Sequence, residues 1–447
     1  MSNNNTTNTS SIVSKVWAFC QILRDDGVGY GDFLEQLTYL LFLQMANKYS
    51  RPPHNRTMPI PTKYNWETLT NKSGEELEVH YNNLLRELAK EKSILGQIFT
   101  KSQNKITYPA ILYKLIALIN AEQWVLMGVK DKGDIYEGLL EKNAEDTKSG
   151  AGQYFTPRPL IKAMVECLLP EPMKTIADPA CGTGGFFLAA YDWITDNLDL
   201  DKEQKKFLKY ETLFGNEIVT GIRRLALMNL FPNIGDIDSE NVMISPNDSL
   251  ISTSETRYDY VLAYPPFDKK SSMTFTNEEG KQKKKDLTYN RQDFWVTTSN
   301  KQLNFVEHIK SMLKTTGMAA VVLPDNVLFE GGAGETVRKK LLETTNLHTI
   351  LRLPTGIFYA NGVKANMLFW DGKPSSKDPW TKEVWAYDYR TNIYHTLKKN
   401  PLKLDDLKDF MTCYNPKNRN KRNETFDTIS NPEGRFRKFS YDDICQE

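Results

Sequence analysis

The sequence predicts an α/β protein in which an all-helical N-terminal domain precedes a mainly parallel sheet. Three observations carry this. Apolar residues recur at three and four through about residue 143, short apolar strands alternate with helical runs after Gly152, and a glycine-rich strand-to-helix turn lies at Thr175 to Ala190.

The elements follow in order. MSNNNTTNTS, residues 1–10, is polar and uncharged and is expected to be a disordered tail without a signal sequence. Residues 11–143 form the helical domain, with Phe33, Leu34, Leu37, Leu40 and Leu41, then Ile111, Leu112, Leu115, Ile116 and Ile119, each on one helical face. RPPHNRTMPIP, Arg51 to Pro61, breaks that pattern once as an exposed loop. The domain at 144–390 holds the strand candidates KTIAD, TLFGNE, YDYVLA, MAAVVLP, TILRLP and ANMLFW, with EVWAYDY, Glu383 to Tyr389, as one more edge strand. Such alternation signals a parallel sheet covered by helices. Residues 391–447 form a C-terminal segment, expected to contact a partner.

Composition excludes several classes. With 57 Lys and Arg against 56 Asp and Glu, a net charge of +1 leaves any nucleic-acid contact to local patches. Cys20, Cys167, Cys181, Cys413 and Cys445 have no paired short spacing, which argues against a disulfide framework or zinc site and for a reducing cytoplasm. The five histidines are widely separated, so no metal is expected. No apolar run is long enough to span a membrane.

The chemistry concentrates in a few motifs. TIADPACGTGGFFLAA reads as strand, acidic residue, glycine turn and helix, and glycines let a backbone approach a ligand closely. The turn lacks the G-x-G-x-x-G pattern and the Lys-Ser/Thr of a phosphate loop, so one led by Asp178 suits a cationic small molecule. Glu217 ends the next strand, where an acidic residue commonly takes ribose hydroxyls, and Asp248 of SPNDSL ends another. In LAYPPFDKK, Pro265 and Pro266 fix the backbone after Tyr264 and present neighbouring groups rigidly. Six lysines between Lys269 and Lys285, and NPKNRNKRNE at 415–424, are either solvated faces or contacts to a DNA backbone. GGAGET, 331–336, has no phosphate-loop lysine and is expected to be a loop before the helix of VRKKLL.

In order, GQYFTPRPLI, DPACGTGG, GNE, NDSL and the PPF turn resemble the motif series of S-adenosylmethionine-dependent DNA adenine methyltransferases. The likeness is most specific to the modification subunit of type I restriction-modification systems. It extends to DDGVGYGDFLEQLTYLLFLQMA, NEEGKQKKKDLTYNRQDFW, NKQLNFVEHI and LRLPTGIFYANGVKANMLFW, covering most of the chain from Ser11 to Asp443. It implies a Rossmann-like methyltransferase domain with a mainly parallel seven-stranded sheet. It also implies a cofactor site of Gln153, Tyr154, Phe155, Thr156, Pro157 and Arg158 with Asp178, Gly182, Thr183, Gly184, Gly185, Glu217 and Asp248. Tyr154, Phe155 and Thr156 would line the methionine end, Asp178, Gly182 and Gly184 the amino-acid part, Glu217 the ribose and Asp248 the adenine.

By the same resemblance Tyr264, Pro265, Pro266 and Phe267 form the catalytic turn for an adenine flipped out of double-stranded DNA, with Phe267 stacked on the base. The family carries asparagine, or elsewhere aspartate or serine, where this chain has Tyr264. That side-chain oxygen and the Pro265 carbonyl accept the two amine hydrogens, which aims the nitrogen lone pair at the methyl donor. A phenol cannot reproduce the contact, so transfer to the 6-amino group is expected to be impaired. The alternative is a catalytically silent subunit that still binds cofactor. Methylation of RNA or of a protein glutamine, the third reading, fits the helical N-terminal domain less well. Too little sequence follows Trp370 for target recognition, so a separate specificity subunit is expected. The resemblance adds a second modification subunit and a restriction subunit.

Overall fold

A computed structural model describes residues 13–15, 17–19, 30–52, 55, 60–121, 138–139, 156–234, 243–253, 255–267, 272–276, 282–286, 288–358, 362–397 and 399–445. The chain divides into two compact units: 1–151 with 182–184 and 219–243, and 152–181 with 185–218 and 244–447.

The first unit is helical. Its helices Tyr30–Tyr49, Trp66–Thr70, Gly74–Leu88, Ile94–Phe99 and Pro109–Ala121 follow the spacing of three and four, and Leu37, Leu40, Leu41, Leu112, Leu115 and Ile119 are buried. The side chain of Phe33 and most of the proline loop lie outside the described residues. Helix Thr220–Ile234, distant in sequence, belongs to this unit. Its Phe231 packs on Phe42 at 5.0 Å between ring centroids. Its buried Arg224 pairs with Glu35 at 2.8 Å and donates to the Ile98 and Thr100 carbonyls. A buried cation needs such partners.

Among the described residues the second unit is built on one sheet of nine strands: β1 (Ile176–Asp178), β2 (Leu213–Asn216), β3 (Ile244–Ser245), β4 (Tyr258–Ala263), β7 (Leu313–Pro324), β8 (Thr345–Arg352), β9 (Ala365–Gly372), β10 (Glu383–Asp388) and β11 (Phe436–Ser440). Their spatial order is β11-β10-β8-β9-β7-β4-β1-β2-β3. The sheet is parallel except where β9 runs against β7 and β8, and β11 against β10. The expectation of seven strands is thereby corrected to nine. All seven sequence candidates are present, and β3 and β11 are added because a two-residue strand has no alternation to detect and FRKFS buries only Phe436. EVWAYDY is likewise not an edge strand, since β11 covers it and Val384, Trp385 and Tyr387 are buried.

YDYVLA is buried at every residue, as a strand with both faces covered must be, so it reads as a continuous apolar run. Leu303, Val306 and Ile309 of helix Lys301–Met312 join Val261, Ala263, Val321, Leu323 and Leu368 in one core. The lysine run forms a hairpin in backbone terms, β5 (Ser272–Thr276) paired with β6 (Gln282–Asp286), directly after the proline turn.

NPKNRNKRNE is less free than its charge suggests. Arg419 Nη2 donates to both Asp371 carboxylate oxygens at 2.9 and 3.0 Å, and the guanidinium also meets His348, while Arg422 donates to the Tyr414 carbonyl and Thr349 Oγ1. Two of its arginines therefore pin the C-terminal segment to β8 and β9.

Candidate active site

Four neighbouring parallel strands, β3-β2-β1-β4, end on the same side and deliver the polar residues. Asp178 is the last residue of β1, Glu217 directly follows β2, Asp248 follows β3 and Tyr264 follows β4. In open parallel sheets the crevice at the carboxyl ends is where ligands bind.

Asp178 Oδ1 accepts from the Ala180 amide at 2.9 Å. Asp178 is 2% exposed. Burial pushes its pKa up to about 8, the neighbouring Glu217 charge adds to the rise, and the Ala180 hydrogen bond opposes it. Glu217 is buried too, with its amide on the Ser245 carbonyl at 2.9 Å. Two carboxylates brought together away from water make a site that favours a cation. The turn after Asp178 continues through Gly182 and Gly184 at φ of 55° and 80°, left-handed angles that favour glycine. Buried Thr183 lies between them, and Gly185 opens helix Gly185–Asn197. Cys181 is buried: a Cβ on Gly215 of β2 would lie 3.0 Å from its sulfur and 2.8 Å from the Phe187 ring.

Asp248 is held at both oxygens. Oδ1 accepts from the Leu250 amide at 2.9 Å, and Oδ2 from the Tyr289 hydroxyl at 3.0 Å. Ser249 donates to the Pro179 carbonyl, and buried Arg291 donates to the Ser249 carbonyl at 3.3 Å while forking onto Asp293. The strand end is thus cross-braced to the glycine turn.

After β4, Tyr264 and Pro265 are buried and Pro266 and Phe267 half-buried. The Tyr264 ring meets Phe267 edge-to-face at 4.8 Å and stacks on Phe358 at 5.6 Å, and Phe267 meets Phe358 at 5.9 Å. Burial pushes the Tyr264 phenol well above its ordinary pKa, so it stays neutral. Gln302 Nε2 donates to the Phe267 carbonyl at 2.5 Å.

Thr156, Pro157 and Arg158 sit at the start of helix Arg158–Leu168, where the Pro157 carbonyl accepts from Leu160 at 3.0 Å. Gln153, Tyr154 and Phe155 lie outside the described residues. Phe358, Tyr289 and Gln302 received no role from the sequence, although each lies within a stretch that carries the family likeness. Among the described residues no His, Cys, Asp and Glu cluster could hold a metal, and no helix is long and apolar enough to cross a membrane.

An open α/β sheet with acidic strand ends and a proline-proline-aromatic turn after its fourth strand defines a methyltransferase. The N-6 DNA methylase family model matches residues 129–433, and the HsdM N-terminal domain model matches residues 12–119. The chain belongs to this family, as a type I methylase (modification) subunit. It is 40% identical over 424 residues to the type I restriction enzyme StySPI methylase subunit of Salmonella potsdam, covering 91% of this chain and 76% of that one. The EcoKI methylase subunit of Escherichia coli K12 is 38% identical over the same shares. The crystal structure of the EcoKI M protein superposes with a TM-score of 0.56 at 32% identity, covering 97% of this chain and 86% of that one. A type I methyltransferase subunit from Streptococcus thermophilus, 18% identical with a TM-score of 0.71 over 98% and 97%, shares the fold.

Proposed function

We propose that this chain binds S-adenosylmethionine and serves transfer to the 6-amino group of adenine in DNA, with Tyr264 impairing the transfer step. The observation that carries the reading is the set Asp178, Glu217, Asp248 and Tyr264-Pro265-Pro266-Phe267 at four adjacent strand ends. The residues suit the cofactor: paired buried acids favour a cation bearing hydroxyls, and the left-handed glycines bring main chain close without a Cβ. When bound, S-adenosylmethionine supplies an activated methyl group.

The chain's own residues do the rest. Asp178, with Gly182, Thr183, Gly184 and Gly185, receives the ammonium end, and Glu217 takes the ribose hydroxyls. Asp248 meets the adenine amine with the lone pairs its two hydrogen bonds leave over. Gln153, Tyr154, Phe155, Thr156, Pro157 and Arg158 line the methionine end. The Pro265 carbonyl accepts one hydrogen of the target amine, and Phe267 stacks on the flipped base. Tyr264 places a neutral ring where the family resemblance implies an acceptor, and that ring packs on Phe267 and Phe358. The same packing favours the second reading, a silent subunit that keeps the cofactor but not the chemistry.

By likeness to its relatives, the chain works in the cytoplasm with a separate specificity subunit, a second modification subunit and a restriction subunit on double-stranded DNA. The test of the cofactor site is calorimetry on Glu217→Ala. Affinity for S-adenosylmethionine falls by about 1–3 kcal/mol, the cost of leaving buried polar partners unsatisfied. Unchanged affinity removes Glu217 from the site.

A further inference from the structure

A turn with two consecutive prolines is hard to hold. Pro265 and Pro266 donate no amide hydrogen, so the rest of the protein can grip these two residues only through their carbonyls and their rings. The described structure shows a carbonyl grip on the residue that follows, Phe267. Gln302 Nε2 donates to it at 2.5 Å, and Gln302 Oε1 accepts from Asn326 Nδ2 at 2.8 Å. The amide orientation is fixed by chemistry, because a carbonyl oxygen can only accept and must face the NH2 group.

Gln302 is rooted rigidly. It lies in the first turn of helix Lys301–Met312, where Asn300 caps its amide at 3.0 Å, and it is 2% exposed. One turn along the same face, Phe305 packs with Leu250 and Tyr289, and Ala180 of the glycine turn packs against that cluster. Tyr289 is the residue that holds Asp248. One helix therefore braces both the strand end assigned to the cofactor adenine and the turn assigned to the target base.

We infer that Gln302, held by Asn326, is a positioning residue that fixes the Phe267 carbonyl and with it the register of the target-base turn against the cofactor strand ends. The inference rests on the function proposed above. A misplacement of about 1 Å can cost on the order of 100-fold in rate, so a grip of this kind affects transfer more than binding.

The test uses Gln302→Leu, which keeps the bulk and loses the donor, and Asn326→Ala, at a half-buried position, which frees the Gln302 amide. Each is made in the full chain, alone and together with Tyr264→Asn. Hydrogen exchange is read on the peptide containing Phe267 and on that spanning Asp248 to Leu250. Single-turnover transfer of tritiated methyl to unmethylated genomic DNA is read with the specificity subunit, and S-adenosylmethionine affinity by calorimetry. Both variants are expected to speed exchange at Phe267 about tenfold while leaving Asp248 to Leu250 unchanged. In the asparagine background they lower the transfer rate about 10- to 100-fold, with cofactor affinity within twofold. Unchanged exchange at Phe267, or equal acceleration at both peptides, overturns the inference. If Tyr264→Asn with Gln302 intact transfers no methyl, the function reading fails, and exchange alone still decides the role of Gln302.

Discussion

With the ammonium of the cofactor placed at Asp178, as proposed, binding depends on pH in a direction the burial of this carboxyl dictates. Its carboxyl titrates near 8 because it is buried beside Glu217, so at neutral pH most unliganded molecules hold it protonated. A cationic ligand binds the ionised form, and the apparent dissociation constant is the intrinsic one divided by the ionised fraction. That fraction is about 1% at pH 6, about 9% at pH 7 and about 50% at pH 8, so affinity should rise about ninefold from pH 6 to 7. Near pH 8 the cofactor's own amino group, an α-amine of pKa about 8, begins to lose its charge, and affinity should peak there. Calorimetry in buffers of different ionisation heat should register close to one proton released per cofactor bound at pH 6. Asp178→Asn removes the acidic limb, giving flat, weaker binding between pH 6 and 7. The fold feels the opposite linkage. An acid whose pKa is raised on folding is held protonated, so the unliganded chain loses stability as pH rises from the ordinary 3.8 toward 8. Affinity that does not change between pH 6 and 7, or the same slope in Asp178→Asn, would refute the placement of the cation at this carboxyl.

Two further outcomes follow from packing and charge. Gly215→Ala puts a Cβ 2.8 Å from the Phe187 ring and 3.0 Å from Cys181 Sγ; chemical denaturation should show a loss of about 1–3 kcal/mol, and calorimetry a weaker cofactor site, because the glycine turn must shift. His348 is neutral with its pKa pulled down to about 4 by burial, an effect the Asp371 hydrogen bond opposes and Arg419 reinforces. Its unfolded form binds protons first, so stability to chemical denaturation should fall as pH drops from 6.5 toward 4, and His348→Gln should remove that dependence.

The sequence displays this site unevenly. Asp178, Glu217 and Tyr264 were legible because each closes a short apolar run, and a buried parallel strand announces itself that way. β3 was legible only at its end: SPNDSL marked Asp248 as closing a strand, but Ile244–Ser245 is two residues long and showed no apolar run of its own. Arg419 and Arg422 read as a basic surface segment because the sign of a charge is local. Their partners Asp371 and Thr349 lie 48 and 73 residues away and are fixed only by the fold. Tyr289 and Gln302 escaped for the same reason: a hydrogen bond across 41 or 35 residues leaves no periodicity. The grouping of helix Thr220–Ile234 with the N-terminal helices depends on Arg224 reaching Glu35 and the Ile98 carbonyl, contacts no composition shift marks.

Tyr264 is buried against Phe267 and Phe358, and under the proposed function its neutral ring occupies the position from which an acceptor would hold the adenine amine. The decisive measurement is single-turnover methyl transfer to unmethylated genomic DNA, with saturating S-adenosylmethionine and the specificity subunit, comparing the chain with its Tyr264→Asn variant. Loss of one preorganised hydrogen-bonding group is worth about 10²–10³ in rate, so the asparagine form should be faster by at least that factor while cofactor affinity stays the same. Equal rates for the two forms would contradict the account, because position 264 would then carry none of the chemistry.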